Sequence, residues 1–273
     1  MGEKLTSLHF CPPALHHLRE IPRPAPRRSH TTGKQGCLQQ CCMVNVIPWY
    51  DDYVAYIIGM VSQKGGAGKS TLARLLAREL AHNGLTVKIA DLDTQQTTCT
   101  AWASDRAEAA LEPEIQVQPF GNLATALREA DRFDAYILDG RPHSSRQTLE
   151  IARAAHAIVI PTGQTKDDLR PAVQLAHSLV DAGIETSRIA FALVRTTRST
   201  AEVGAAREYL KQTEYTMLDG ELPSSTAYAM AHDGGRAVSE TRYRSLNDKA
   251  ERLAQAVIDR LAALTTAKEE ACQ

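Results

Sequence analysis

The stretch "VSQKGGAGKST", residues 61–71, has the residue types of a phosphate-binding loop. Closely spaced glycines let the backbone curl so that successive N–H groups point at phosphate oxygens, and a following helix adds the positive end of its dipole. Lys69 would neutralise the β- and γ-phosphates of a nucleotide, and the Ser70 hydroxyl would ligate Mg²⁺. The stretch predicts a site for ATP and Mg²⁺ formed by Gly65, Gly66, Ala67, Gly68, Lys69, Ser70 and Thr71.

A second lysine, Lys64, precedes the first glycine of this loop. A nucleotide held by its own chain has no obvious need for it, because Lys69 already serves the phosphates. Lys64 is therefore either an ordinary surface lysine or a residue that acts on another molecule.

Acidic residues follow two of the apolar segments. "ADLDTQQ" contains Asp91 and Asp93, and "YILDG" contains Asp139. In a parallel sheet the carboxyl ends of the strands line the ligand crevice. We expect Asp139 to be an outer-sphere Mg²⁺ ligand and Asp93 to orient or polarise the attacking water near the metal, with Asp91 a further candidate. The alternative for each is an aspartate that caps a helix or a turn.

Apolar segments alternate with helical patterns from Tyr53 onward. Helices are predicted at Ser70–Asn83 and from about Ser245 to Leu264. Near-continuous apolar strands separated by helices indicate a parallel sheet covered on both faces. The sequence predicts one α/β domain over residues 51–273, with the doubly wound, mostly parallel sheet of a P-loop NTPase. Its strands are expected at 53–62, 86–93, 133–140, 156–162 and 188–194.

Residues 1–50 differ from the rest of the 273-residue chain. They hold six of its twelve prolines, and their six Lys and Arg against two Glu give a net charge of +4, whereas the whole chain carries −1. This composition predicts a disordered basic extension, or alternatively an arm that touches DNA. The six cysteines form no disulfide pattern, which favours a reducing cytoplasm, although Cys37, Cys41 and Cys42 could alternatively bind a metal. No apolar run is long enough for a membrane span.

"KGGAGKST", "DLDTQQ" and "ILDG" together resemble the deviant Walker ATPases of the ParA/MinD family, over roughly Ala55 to Leu264. The resemblance implies an ATP-dependent homodimer in which Lys64 reaches the phosphates of the partner's ATP. Lys64, Lys69 and Asp93 would then be the catalytic residues. A cation supplied in this way stabilises the charge that develops on the transferring phosphoryl group.

Within that family the chain is most similar to small plasmid-partition ATPases that lack an N-terminal helix-turn-helix domain. "TAYAMAHDGGRAVSE" (226–240) resembles a segment of these proteins, and "LPSST" places Pro223 where relatives contact adenine. The polar ending "LTTAKEEACQ" disfavours a membrane-binding helix. Alternatives are a MinD-like or VirC-like positioning ATPase, and a nucleotide-dependent metabolic enzyme on the same fold.

The resemblance also implies non-specific DNA binding by the ATP-bound dimer, nucleoid association, and release when a ParB- or ParG-like adaptor stimulates hydrolysis. Two features depart from the family: Thr94 stands where relatives have proline, and residues 139–143 lack the glycine of D-x-x-G, since Pro142 stands in its place. We therefore expect slow, partner-dependent hydrolysis. The candidate DNA-binding residues are Arg195, Arg198, Arg236, Arg242 and Arg244.

Overall fold

A computed structural model describes residues 55–142 and 144–271, except for the side chains of 268–271. The expected basic extension, residues 1–50, lies outside this range, as do His143 and every cysteine except Cys99. The boundary at residue 51 therefore stays a prediction.

The described residues form an eight-stranded sheet in the spatial order β3-β2-β4-β1-β5-β6-β7, with β8 paired to β6. Every strand pairing in this part of the chain is parallel. The central strand β1 therefore has β4 on one side and β5 on the other. The strands are β1 (Tyr56–Met60), β2 (Val87–Asp91), β3 (Gln116–Pro119), β4 (Ala135–Asp139), β5 (Ala157–Thr162), β6 (Ile189–Thr196), β7 (Thr216–Met217) and β8 (Leu222–Pro223).

Helices connect the strands and cover both faces of the sheet. They are α1 (Lys69–His82), α2 (Thr98–Glu108), α3 (Leu123–Leu127), α4 (Ser145–Ala154), α5 (Lys166–Asp181), α6 (Thr200–Lys211), α7 (Thr226–Asp233) and α8 (Arg244–Ala271). Short 3-10 turns occupy Ala130–Arg132 and Thr186–Arg188. None of the helices in the described ranges is long and apolar enough to cross a membrane.

Two hydrophobic cores lie on opposite faces of the sheet because alternate side chains of each strand point to opposite sides. Ile58 of β1 packs in one core with helices α1 and α8, while its neighbour Ile57 packs in the other core with helix α5. Since both faces are covered, the central strands have no polar face, as the apolar segments predict.

The predicted fold class is confirmed, and each of the five predicted strands overlaps an observed one. The helix predicted at Ser70–Asn83 is observed at Lys69–His82, and the last helix is longer than predicted. Three strands were not predicted. β3 lies at the edge of the sheet and is largely exposed, so it lacks an apolar pattern, and β7 and β8 have only two residues each.

Candidate nucleotide-binding site

The glycine-rich loop runs from the end of β1 into helix α1, the connection that the motif requires. Gly68 precedes the first residue of α1 and has a φ of 106°, a left-handed conformation that L side chains rarely adopt. A Cβ at this position would also lie 3.0 Å from Cγ2 of Val194 on β6. Glycine is therefore needed here both for the backbone turn and for the close approach of β6.

Lys69 begins α1, and its side chain is buried at the carboxyl edge of the sheet. Burial lowers the pKa of Lys69, and the nearby carboxylates of Asp139 and Asp93 oppose that shift. The predicted phosphate-binding lysine and both predicted acidic residues are therefore close enough to interact electrostatically.

Asp139 ends β4, and only 2% of its surface is exposed. Burial raises the pKa of Asp139 to about 6, although hydrogen bonds from Ser70 and Cys99 favour the charged form. The Cys99 thiol lies 3.2 Å from Oδ2, whereas Oδ1 is buried and has no hydrogen-bond partner. An unpaired buried carboxylate oxygen is costly, so Oδ1 marks a position that a bound cation or water could satisfy.

The oxygen donors of Ser70 and Asp139 suit Mg²⁺, which prefers hard oxygen ligands. Across the described ranges, no group of three or more His, Cys, Asp or Glu side chains could hold a metal ion by itself. Mg²⁺ is usually bound through one or two protein groups, with phosphate oxygens and water completing its shell. The residues present therefore fit the predicted ion.

Asp91 and Asp93 both organise the loop after β2. Asp91 accepts hydrogen bonds from the backbone and hydroxyl of Thr100 and from the backbone N–H of Asp93. Oδ1 of Asp93 accepts from the N–H groups of Gln95 and Gln96, each at 3.3 Å. Both aspartates therefore accept the backbone hydrogen bonds expected of a residue that caps a helix or a turn. The catalytic role of Asp93 stays a prediction.

The loop after β4 is where the sequence departs from the family pattern. A Cβ at Gly140 would lie 3.0 Å from the carbonyl oxygen of Met60, so this glycine allows β4 and β1 to approach. Gln147 of α4 accepts a hydrogen bond from Arg141 N–H at 3.0 Å and lies 3.4 Å from the carbonyl oxygen of Leu92. Its side chain thereby links the loops that follow β4 and β2.

Lys64 is half-exposed, and its Nζ contacts Oδ1 of Asp168 in the first turn of α5 at 2.5 Å. Arg195 Nη2 lies 3.6 Å from the same oxygen. Burial alone would raise the pKa of Asp168, but hydrogen bonds from Lys64 and Thr165 hold it below its usual range. In the free protomer, Lys64 is therefore paired within its own chain.

Pro223 of β8 lies opposite Thr196 at the carboxyl end of β6, the strand that contacts Gly68 through Val194. This puts Pro223 on the same edge of the sheet as the glycine-rich loop, and its contact with the base stays a prediction. The Thr196 hydroxyl is buried nearby without a hydrogen-bond partner.

The five candidate DNA-binding arginines are all exposed, but three of them contact different neighbours. Arg195 is close to Asp168, whereas Arg242 lies over the ring of Tyr243 at 4.8 Å and Arg244 pairs with Asp248. Arg236, Arg242 and Arg244 come from one segment of the chain, next to α8. The structure leaves DNA binding by any of them a prediction.

Three neighbours of the predicted residues escaped the sequence analysis: Asp168 contacts Lys64, Cys99 contacts Asp139, and Thr196 lies opposite Pro223. An aspartate in the first turn of a helix is usual, because it interacts favourably with the helix dipole, so Asp168 gave no distinct signal. Cys99 lies 40 residues from Asp139 and Thr196 ends an ordinary apolar strand, so only the folded chain identifies their environment.

Comparison with known proteins identifies the family of this domain. Residues 58–238 match the model of the CobQ/CobB/MinD/ParA nucleotide binding domain. The chromosome-partitioning ATPase Soj of Thermus thermophilus is 33% identical over a stretch that covers 38% of this chain and 53% of Soj. Protein ParA of Rhizobium radiobacter is 46% identical over a stretch that covers 18% of this chain and 21% of that protein. The chain thus matches about half of the first relative and a fifth of the second.

One similar solved structure is the septum site-determining protein MinD of Pyrococcus horikoshii, complexed with Mg-ADP. The alignment covers 76% of this chain and 94% of that chain. The two structures align with a TM-score of 0.58 at 17% sequence identity, which shows that their folds are similar. The family model spans well over half of the chain and includes the glycine-rich loop, Asp93, Asp139 and Pro223. The chain therefore belongs to the CobQ/CobB/MinD/ParA nucleotide-binding family.

Proposed function

We propose that this protein is an ATPase switch for plasmid or chromosome partition, which dimerises with ATP and binds DNA in that state. The observation that carries the proposal is the contrast between the two lysines of the loop. Lys69 is buried beside Asp139 and Asp93, whereas the side chain of Lys64 is 48% exposed. A buried cation suits a nucleotide bound by the same chain, and an exposed one can serve a second molecule.

Within one protomer, the glycine-rich loop would bind the phosphates through its backbone N–H groups and Lys69. Ser70 and Asp139 would hold Mg²⁺, which neutralises charge on the phosphate oxygens. Asp93 would orient the attacking water from the loop after β2. Because its carboxylate also accepts two backbone N–H groups, that orientation depends on the conformation of residues 93–97.

Between protomers, Lys64 of each chain would contact the triphosphate held by the other. Such a contact couples dimerisation to the bound nucleotide, because ADP lacks the phosphate that Lys64 stabilises. It also places positive charge where it develops during phosphoryl transfer. Hydrolysis would therefore cause the dimer to dissociate.

DNA binding and a role in partition are proposed because the relative Soj is named a chromosome-partitioning ATPase. The exposed residues Arg236, Arg242 and Arg244 supply cations that can contact DNA phosphates. A small basic adaptor bound at a centromere would stimulate hydrolysis and release the dimer from DNA. The expected location is the bacterial nucleoid.

A gel-shift assay with random-sequence DNA tests this proposal. We expect binding with ATP and Mg²⁺, none with ADP, and a steep loss of affinity with salt because phosphate contacts release counterions. Equal binding with either nucleotide would contradict a nucleotide switch. No binding in either state would favour a positioning ATPase.

A further inference from the structure

The carboxylate of Asp168 lies between two cations that compete for one of its oxygens. Oδ1 is 2.5 Å from Nζ of Lys64 and 3.6 Å from Nη2 of Arg195. The longer distance is outside the normal range for a hydrogen bond, so Lys64 is the principal partner and Arg195 is a second cation close at hand.

The position of Asp168 is fixed by its neighbours. The Thr165 hydroxyl donates to Oδ2 at 2.9 Å, and a Cβ at Gly163 would lie 2.3 Å from that oxygen. Any residue other than glycine at 163 would displace the carboxylate. The Asp168 side chain is 13% exposed, whereas those of Lys64 and Arg195 are 48% and 47% exposed. The acid is therefore held in place, and the cations are the groups that can move.

The backbone at Arg195 is also unusual. Its φ is 55°, a left-handed conformation inside β6, at the point where the pairing of β6 with β8 shifts register. Such strain persists in a non-glycine residue only where the surrounding structure supports it, and it is concentrated at functional sites. Here it accompanies the placement of the Arg195 guanidinium beside Asp168.

We propose that Arg195 is a positioning residue that takes over Asp168 when Lys64 leaves for the nucleotide of the partner subunit. The proposal rests on the function given above, in which Lys64 acts on the other protomer. Without a replacement, the departure of Lys64 would leave a largely buried carboxylate unpaired, which is unfavourable. With Arg195 in place, Asp168 has a cationic partner in both states, so Lys64 is released more easily.

The two residues should have opposite effects on dimerisation. Arg195→Gln removes the replacement cation, so the dimer dissociation constant with AMPPNP and Mg²⁺ should rise by about twofold to fivefold, as for a partly exposed ion pair. Asp168→Asn removes the acid that retains Lys64, so the same constant should fall by a similar factor. Neither variant should change the affinity of the protomer for AMPPNP by more than about twofold.

The double variant Asp168→Asn/Arg195→Gln separates this role from direct contact with the nucleotide. If Arg195 acts only through Asp168, the double variant dimerises like Asp168→Asn alone, because the two effects are fully coupled. Sedimentation velocity of the full chain over a protein dilution series measures all four constants. A loss from Arg195→Gln that persists when residue 168 is Asn would overturn the proposal, as would single variants that match the wild type.

Exposed neighbours on α5 provide matched controls, since Arg170→Gln and Asp167→Asn make the same chemical changes without touching the pair. Both should dimerise like the wild type. The variant Lys64→Ala distinguishes the two proposals. If it dimerises normally, the role of Lys64 on the partner is wrong. If it fails to dimerise while the Asp168 and Arg195 variants match the wild type, only the present inference is wrong.

Discussion

The thiol of Cys99, near the start of α2, donates a hydrogen bond to Oδ2 of Asp139, at the end of β4, across 3.2 Å. Both side chains are buried, and the second oxygen of Asp139 is buried without a hydrogen-bond partner. Cys99 follows the loop that contains Asp93, so this hydrogen bond connects that loop to the candidate Mg²⁺ ligand.

Replacing Cys99 tests that connection. Because the hydrogen bond favours the ionised carboxylate, Cys99→Ala should raise the pKa of Asp139 further above its present value of about 6. Mg²⁺-dependent AMPPNP binding should then weaken by about fivefold to tenfold at pH 6 and by little at pH 8, the size expected for one hydrogen bond from a weak donor such as a thiol. Calorimetry at both pH values measures this. Cys99→Ser keeps a donor and should behave like the wild type, whereas an equal loss from Cys99→Ala at both pH values would contradict the prediction.

The raised pKa of Asp139 also predicts how stability depends on pH without ligands. The folded-state value of about 6 lies above the ordinary value near 4, so the folded protein binds more protons than the unfolded chain between them. The contribution of Asp139 to the free energy of unfolding is therefore fully present below about pH 4 and is lost as the pH rises through 6.

Asp139→Asn removes the ionisable group, so the free energy of unfolding should no longer fall as the pH rises through 6. The variant should gain about 1–3 kcal/mol over the wild type at pH 8 and show a much smaller difference at pH 4.5. Thermal unfolding without nucleotide and Mg²⁺ gives the comparison. Adding both ligands should reverse the order at pH 8, because the variant lacks the negative charge that would attract the metal ion. A gain that is independent of pH would count against the buried charge as its cause.

A buried ion pair attaches the segment before α8 to helix α2. Arg106 is 2% exposed and contacts both carboxylate oxygens of Glu240, at 2.8 and 3.1 Å. Glu240→Ala would leave the guanidinium buried and unpaired, so the free energy of unfolding should fall by about 3 kcal/mol. Urea denaturation measures the loss. Glu108→Ala, at an exposed position on α2, should change stability by less than about 0.5 kcal/mol.

The proposed DNA contacts predict a change in salt dependence. If Arg236, Arg242 and Arg244 each contact a phosphate, replacing each by Gln should reduce the slope of log affinity against log salt by about one. Fluorescence anisotropy with a random duplex, AMPPNP and Mg²⁺ measures the slope. Arg153→Gln, an exposed change on α4, is the control. An unchanged slope in the triple variant would place DNA binding on another surface.

Much of the fold could be predicted because the central strands are buried on both faces and are therefore apolar along their length. The edge strand β3 could not, since its polar residues resemble a loop. The glycine-rich loop could be predicted from its short local spacing, and Asp93 and Asp139 became candidates because each closely follows or ends an apolar strand. The partners of Lys64 and Asp139 could not be found, because Asp168 and Cys99 lie 104 and 40 residues away along the chain and approach only after folding.

The central claim is that Lys64 serves the nucleotide of a second protomer, and the mass of the protein in solution tests it most directly. Light scattering of Lys64→Ala with AMPPNP and Mg²⁺ should give a monomer that still binds the nucleotide, whereas the wild type forms a dimer and Lys69→Ala neither binds nor dimerises. A Lys64→Ala protein that dimerises as tightly as the wild type would contradict the account.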